Sequence, residues 1–322
     1  MKIVYISWAP YCSRSDHTAR ELGGVSYMVY LKTLGSHPAT IGLKYLGQMW
    51  QTWWILWRER PDVTFVMAPP VFAVAAVYVY AKLSGGAYVI DAHTAAFLHP
   101  RWQRFQGLQH GFGRRALTTI VTNEHLAERV RQGGGHASVI RDVPVIFNEK
   151  GSLEIPTTFT VAAVCSFNAD EPIAEILRAA REHPHVSVYM TGDPDDLDPG
   201  LAREAPENVT ITGFLSDADY GQLLRQADVV LTLTTRDHTM LRGAYEAIYQ
   251  DTPVIISDWP LLREAFETSA IYVDNTAASI AAAIDHMQKH QEQYQAGARA
   301  LHRKKLSEWE RHKEELLARC AR

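Results

Sequence analysis

His93 closes the run Tyr88–His93 (YVIDAH), a short apolar segment that reads as a buried strand with Asp91 and His93 at its carboxyl end. An imidazole placed there can take or give a proton near neutral pH, and Asp91 is the nearby carboxylate. Asp16 and His17, expected in the loop after the first strand, are further base candidates. A second group lies far along the chain. Arg242 and Glu246 lie near the start of an expected helix over Leu241–Tyr249. Thr239 to Gly243 precede or open that helix, where backbone N–H groups and an Arg fork suit a phosphate. Thr191-Gly192 and Gly213-Phe214 stand where strands are expected to end, and a glycine there lets another group approach the backbone closely. Each of these also has a plain structural reading: Glu246 as a helix-dipole partner, Arg242 as a solvated surface residue, the glycines as turns.

The elements that must position these residues alternate along the chain. In the first half, Lys2–Ser7, Val63–Met67, Tyr88–Ile90 and Thr119–Thr122 read as buried strands. Between them, helices are expected over Glu21–Leu34, entered through Gly23-Gly24, over Val71–Leu83, and over Glu124–Gln132. A polar break at Asn148–Pro156 separates this half from a second alternation. Its expected strands are Phe159–Ser166, Val186–Thr191, Val209–Thr212, Val229–Leu233 and Val254–Ser257. Its expected helices are Ile173–Glu182, Asp219–Gln226, Leu241–Tyr249 and Ala277–Gln288. Continuous apolar strands between helices imply parallel sheets covered on both faces. The division is therefore 1–150, 151–290 and a charged helical segment over 291–322, making an α/β protein of two doubly wound, Rossmann-like domains facing a cleft.

The bulk properties agree. The chain has 322 residues, about two domains' worth, and 47% are hydrophobic, enough for two cores. Cys12, Cys165 and Cys320 are scattered and odd in number, which suits a reducing compartment and gives no metal spacing. The N-terminal run breaks at Pro10 and does not read as a signal peptide. Val63–Ala81 is about long enough to span a bilayer, but Pro69-Pro70 in its middle favours strand, turn and helix. Residues 1–150 carry 16 Lys and Arg against 9 Asp and Glu, while residues 151–322 carry 16 against 27. The basic first half suits an anionic partner such as a membrane surface or a diphosphate-linked lipid. Nucleic acid fits poorly, because the second half is acidic and no nucleic-acid motif appears. Trp50, Trp53, Trp54 and Trp57 fall on one helical stripe, read either as packing or as a lipid-facing surface, and Phe97–Phe112, with Arg101, Trp102 and Arg104, mixes aromatic and basic residues.

Four segments of the second half, in order, carry a family resemblance: Asn208–Leu215 (NVTITGFL), Tyr220–Leu233 (YGQLLRQADVVLTL), Gly243–Asp258 (GAYEAIYQDTPVIISD) and Ala270–Ile284 (AIYVDNTAASIAAAI). Over about 159–290 the chain resembles the donor domain of GT-B glycosyltransferases, in particular family four. Gly23-Gly24 is similar to the glycine pair that enters the first helix of that family. The resemblance implies a metal-independent, hexosyl-transferring enzyme with no cofactor, using a nucleotide-diphosphate sugar, UDP or GDP, as co-substrate. It implies a glycan or polyprenyl-linked acceptor, a role in polysaccharide or glycoconjugate synthesis, and a cytoplasmic site of action, including the inner face of the membrane. It assigns the ribose hydroxyls to Glu246, the diphosphate to Gly23, Gly24, Thr239 and Arg242, and the base and sugar to the loops at Asn168, Thr191, Gly192, Gly213 and Phe214. It places His93 beside the donor sugar, with Asp91 and Asp16 as catalytic carboxylates, and Trp53, Trp57, Arg101 and Trp102 on the acceptor or membrane side.

The chain also departs from the family pattern. The position eight before Glu246, acidic in the family, is His238, with Asp237 one place off. The phosphate-binding Arg and Lys expected after the first strand of the second half are replaced by Ser166–Pro172 (SFNADEP), where Asp170 is a cap candidate and Pro172 a helix starter. Asp193–Asp196 resembles a metal motif in letters only. These departures leave open two alternatives, a sugar-nucleotide epimerase of the same fold and a non-catalytic subunit that binds a partner enzyme.

Overall fold

A computed structural model of the chain describes residues 1–32 and 40–321. Two compact units are present, one of residues 1–143 with 309–322 and one of residues 144–308.

The first unit runs β1 (Ile3–Ser7), α1 (Ser13–Glu21), β2 (Val25–Met28), α2 (Ile41–Glu59), β3 (Val63–Ala68), α3 (Val71–Ser84) and β4 (Ala87–Ala92). It continues through three short helices, α4 (Ala95–Leu98), α5 (Pro100–Gln103) and α6 (Gln106–Gly113), to β5 (Thr119–Val121), α7 (Glu124–Gln132) and β6 (Ala137–Val139). The sheet is parallel, in the order β2-β1-β3-β4-β5-β6. Its strands are apolar on both faces because both are covered. Val4 and Ile6 enter one core while Ile3 and Tyr5 enter the other, the period of two that a pleated strand imposes.

The second unit repeats the plan with β7 (Thr160–Ala163), α8 (Ile173–Glu182), β8 (Ser187–Thr191), α9 (Pro199–Glu204), β9 (Val209–Gly213), α10 (Asp217–Gln226), β10 (Val229–Thr232), α11 (Arg242–Ile248), β11 (Val254–Ser257), α12 (Pro260–Phe266) and β12 (Ala270–Val273). Its sheet is parallel in the order β12-β11-β10-β7-β8-β9. Val161 and Ala163 face one core and Ala162 the other.

Two expectations are corrected here. Glu21–Leu34 is not a helix entered through Gly23-Gly24; its residues 33 and 34 lie outside the described residues. The glycine pair instead ends α1. Gly23 takes φ +71°, its N–H bonds to Arg20 O at 3.0 Å, and the Gly24 N–H bonds to Ala19 O at 2.7 Å. This pair of bonds is a Schellman stop, which needs a left-handed residue and therefore favours glycine. At Gly24 any Cβ would stand 2.7 Å from Ile3 O, so the chain passes straight into β2 beside β1. Asp16 and His17 accordingly sit within α1 and not in a loop.

At the C-terminus the expected helical segment is present: α13 (Ala277–Cys320) is interrupted at His290 (φ −127°, ψ 25°), next to the expected start of residues 291–322, but the stretch after the kink is shared between the two units. Its stretch to Glu308 belongs to the second unit and Trp309–Arg322 to the first. Trp309 is 2% exposed in the core under β1 and β3, and its indole N–H donates to Glu21 Oε2 at 3.0 Å. None of the described helices is long and apolar enough to cross a membrane. Trp309→Ala should cost about 3–5 kcal/mol, and urea unfolding followed by far-ultraviolet circular dichroism measures it.

Candidate functional site

In both sheets the strand order turns back on itself, between β1 and β3 in the first unit and between β7 and β10 in the second. At such a point the loops leaving two adjacent strands diverge and open a crevice at the carboxyl edge.

In the second unit those loops are Val164–Pro172, after β7, and Leu233–Leu241, after β10. Asp170 ties them together. It accepts from Thr234 Oγ1 at 2.8 Å, its carbonyl accepts the Thr235 N–H at 2.7 Å, and Arg236 lies 3.3 Å from its carboxylate. It is therefore a cross-loop anchor and not the cap of α8, whose first turn follows Pro172 without a side-chain cap. Thr234 is fixed from the other side as well: its N–H donates to Ser257 Oγ, and its carbonyl accepts from Trp259 Nε1 and Asn275 Nδ2.

Within this frame α11 carries Arg242 and Glu246. Gly243 seats the helix against β7, since a Cβ there would stand 2.7 Å from Val164 Cγ1. Glu246 is 7% exposed. Its Oε1 accepts from Arg242 Nε at 2.8 Å and its Oε2 accepts from Tyr220 Oη at 2.7 Å. Burial, then the charge of Glu246, hold the Tyr220 hydroxyl protonated far above its ordinary range, so it acts as a donor to the carboxylate. The carboxylate, the guanidinium and the phenol thus form one fixed cluster. Tyr220 was not singled out as a site residue, although it opens one of the four segments that carry the resemblance.

The neighbouring loops gather the other expected residues. Asn168 lies in the loop after β7, where the N–H groups of Ser166 and Asn168 donate to the Glu171 carboxylate at 2.9 and 3.1 Å. Burial pushes Glu171 up from its ordinary value against these bonds, which favour the charged form. Thr191 Oγ1 accepts from the Cys165 N–H at 3.2 Å and joins the ends of β7 and β8. Gly192 takes φ +117°, and a Cβ there would meet the Phe167 ring at 2.7 Å. Gly213 takes φ +69° at the end of β9, beside Phe214, which is 83% exposed. Thr239 lies in the loop before α11, beyond Asp237 and His238, whose N–H donates to Asp237 Oδ1 at 2.6 Å. Asp193 accepts from the Asp195 N–H and so caps a local turn.

In the first unit the crevice edge carries Asp91, His93 and Arg14. Asp91 is 1% exposed. It accepts from Tyr5 Oη at 2.7 Å and from Arg14 Nε at 3.1 Å, and Arg14 in turn lies 3.5 Å from Asp142. Burial raises the Asp91 carboxyl, but the charges of Arg14 and His93 and the bonds from Tyr5 and Arg14 outweigh it and hold it below its ordinary value. Asp91 is thus a buried counter-ion. His93 follows β4, its N–H donates to Ala68 O at 2.8 Å, and it is the more accessible of the two. Arg14 was missed in the sequence, because an ion pair across 77 residues leaves no local signal. Asp16 is engaged by Ser26 and Arg20 on the outer part of α1.

The remaining expected residues scatter. Gly24 lies beside Ile3 at the amino end of β1, with Gly23 just before it, so the pair stands at the sheet edge opposite the carboxyl ends of the strands. Trp53 donates to Ala76 O at 2.9 Å and packs on α3, while Trp57 is 50% exposed. Arg101 stands 5.2 Å over the Trp102 ring on α5.

Residues 171–316 match the family model described as glycosyl transferase-like. No curated protein matches the chain by sequence. Among solved structures, HepE of Anabaena in complex with UDP and glucose is similar at TM-score 0.72 and 14% identity, covering 99% of this chain and 98% of that one. Sucrose-phosphate synthase of Thermosynechococcus elongatus is similar at TM-score 0.73 and 14% identity, covering 98% and 97%. UDP-GlcNAc 2-epimerase of Neisseria meningitidis bound to UDP-GlcNAc is similar at TM-score 0.61 and 11% identity, covering 93% and 94%. The fold is GT-B, as the resemblance in the second half implied.

Asp91→Asn would leave Arg14 buried with a weaker partner and should destabilise the protein by about 3–5 kcal/mol. Because the folded carboxyl sits below its ordinary value, this stability is present above roughly pH 4 and is lost as pH falls through the folded pKa. Urea midpoints measured from pH 7 downward should therefore fall less steeply in the variant.

Proposed function

We propose that the chain is a glycosyltransferase that moves a hexosyl group from a UDP-sugar to a glycan or lipid-linked acceptor, without a metal cofactor, in polysaccharide or glycoconjugate synthesis. The observation that carries the reading is the Tyr220–Glu246–Arg242 cluster at the carboxyl edge of the second sheet, within the stretch that matches the glycosyl transferase-like family. The complexes of HepE with UDP and glucose, and with UDP-glucose, support a uridine nucleotide as donor.

Each group has a role in that reading. Glu246, held at one oxygen by Tyr220, accepts the ribose hydroxyls as the Arg242 contact opens, and Arg242 turns to the diphosphate beside Thr239. Asn168, Thr191, Gly192, Gly213 and Phe214 line the base and sugar. His93 is the candidate base at the first unit's carboxyl edge, which Asp91 orders through Arg14. Asp16 is held by Ser26 and Arg20 and is given no step in this reading. Arg101 and Trp102 contact the acceptor. An acceptor carried on a lipid would bring the protein to the inner face of a membrane.

A second reading, a non-catalytic subunit of the same fold, is supported by Glu171. Its carboxylate takes the backbone N–H groups of the loop where the resemblance would have Arg and Lys.

A thermal-shift panel with UDP, GDP, ADP, TDP and CMP separates the two. Under the first reading UDP responds, by about 2.7 kcal/mol of added stability at 100 times its dissociation constant. No response to any nucleotide would sink it in favour of the second. Glu246→Ala should weaken UDP binding by at least about tenfold, as expected for loss of a charge-assisted contact, with calorimetry as the readout. His93→Ala should lower turnover more than donor affinity, and an equal loss of both would reduce His93 to positioning.

A further inference from the structure

α2 is apolar on two sides. An amphipathic helix of a globular protein turns its apolar stripe to the core. Here the core-facing side holds Ile55 and Leu56 with Tyr45, Met49 and Trp53 packed beside them, together with the polar Lys44, Gln48 and Thr52. Gln48 Nε2 donates to Val29 O at 2.6 Å, and Thr52 Oγ1 accepts from Trp8 Nε1 at 2.9 Å, so these polar groups are satisfied within the fold. The outward side carries Leu43 (63% exposed), Leu46 (64%), Trp50 (71%), Trp54 (56%) and Trp57 (50%). At 100° per residue these five positions fall within an arc of about 80° and run for roughly 21 Å along the helix. The tryptophans and Arg58 frame a shallow groove of about 520 Å³. On α3, which packs beside α2, Val79 and Leu83 are exposed as well, Leu83 by 70%. The three indoles alone leave roughly 400 Å² uncovered, and monomeric proteins rarely expose contiguous apolar patches larger than a few hundred Å².

We propose that this face of α2 is an interfacial surface that lies in an anionic lipid bilayer. Charge and composition select this occupant. Residues 22–123 hold nine Lys and Arg against three acids. Of the acids, Asp91 is buried against Arg14, Glu59 is paired with Lys2 and Arg58, and Asp62 accepts from the Lys2 backbone. At the ends of α2 and α3 beside the stripe, Arg58, Arg60 and Lys82 are exposed cations, and Glu59, paired with Arg58, is the one acid on the two helices. Tryptophan with leucine on one side, flanked by Lys and Arg, is the composition of a helix seated at the headgroup level. Arg58 lies 4.6 Å over the Trp54 ring, the cation at the indole that such a boundary places together. A second copy of the chain would set this basic surface against itself, where like charges oppose association. α2 is too mixed to cross a bilayer and lies along its surface. The surface is independent of the sugar and holds whether or not the chain transfers one.

The test uses the full chain with vesicles of phosphatidylcholine, alone or with phosphatidylglycerol. The protein should sediment with the anionic vesicles, and high salt should release it. The triple variant Trp50→Ala, Trp54→Ala, Trp57→Ala should partition at least about tenfold less. It should keep its fold by circular dichroism and its thermal response to UDP, with at most a few degrees lost in melting temperature, because Trp50 and Trp54 are mostly exposed and only Trp57 packs on a core residue, Tyr80. Lys82→Glu, on the exposed side of α3, should weaken anionic binding while leaving the stripe intact. The proposal fails if the protein stays in the supernatant with both vesicle types, or if the triple variant binds like the parent. It fails equally if the parent is a dimer that the triple variant makes monomeric, which would assign the face to a second copy.

Discussion

Everything in this molecule that could meet a ligand depends on parallel pairing. When every strand of a sheet points the same way, every strand-to-helix loop emerges at one edge, and the return connections occupy the other. In each sheet the chain then reverses its direction of winding once, so two neighbouring strands send their loops apart. Asp170 shows how the gap between such loops is kept at fixed width: a single acidic residue bonds to the following loop through both side chain and main chain. Arg14 does the same for the first sheet by linking Asp91 to Asp142 and the carbonyls of Ile140 and Arg141. Both anchors are charged and buried or half-buried, a costly arrangement whose return is a defined geometry.

The crevice edges also show carboxylates meeting positive or N–H groups from the same chain. Glu171 takes the amides of its own loop, and Glu246 takes a guanidinium one helical turn away. A buried donor left without an acceptor costs about 1–3 kcal/mol, so these internal partners stabilise the loop and the helix that carry them.

Nine of the twelve described strands were legible because each is a short apolar run between helix signals, as at Val254–Ser257; β2, β6 and β12, each at the edge of a sheet, were not expected. Helices with a clear apolar period, such as Ile173–Glu182 and Glu124–Gln132, are equally direct. Gly23-Gly24 was misread because a glycine pair looks the same before a helix as after one, and only the bonds back to Ala19 and Arg20 distinguish them. β2 was hidden with it: Val25–Met28 is half-exposed at the sheet edge and lacks the apolar continuity of the central strands. Of the site, Glu246, Arg242 and the loop glycines could be read from local order. Tyr220 as a hydrogen-bond partner, Arg14 and the double role of Asp170 could not, since each acts across a distance that only the folded chain closes.

The last helix carries a consequence for how the protein comes into being. Trp309 and Leu316 complete a core whose other members lie between Ile3 and Val143. A ribosome adding about 5–20 residues each second finishes that unit's six strands long before it reaches Trp309. For an interval on the order of ten seconds the first unit has its sheet but lacks one wall. During that time the underside of β1 and β3 is open, and Glu21 waits for the indole it will later hold. The order in which the chain is made is therefore not the order in which its cores close, and the N-terminal unit is the last to be finished.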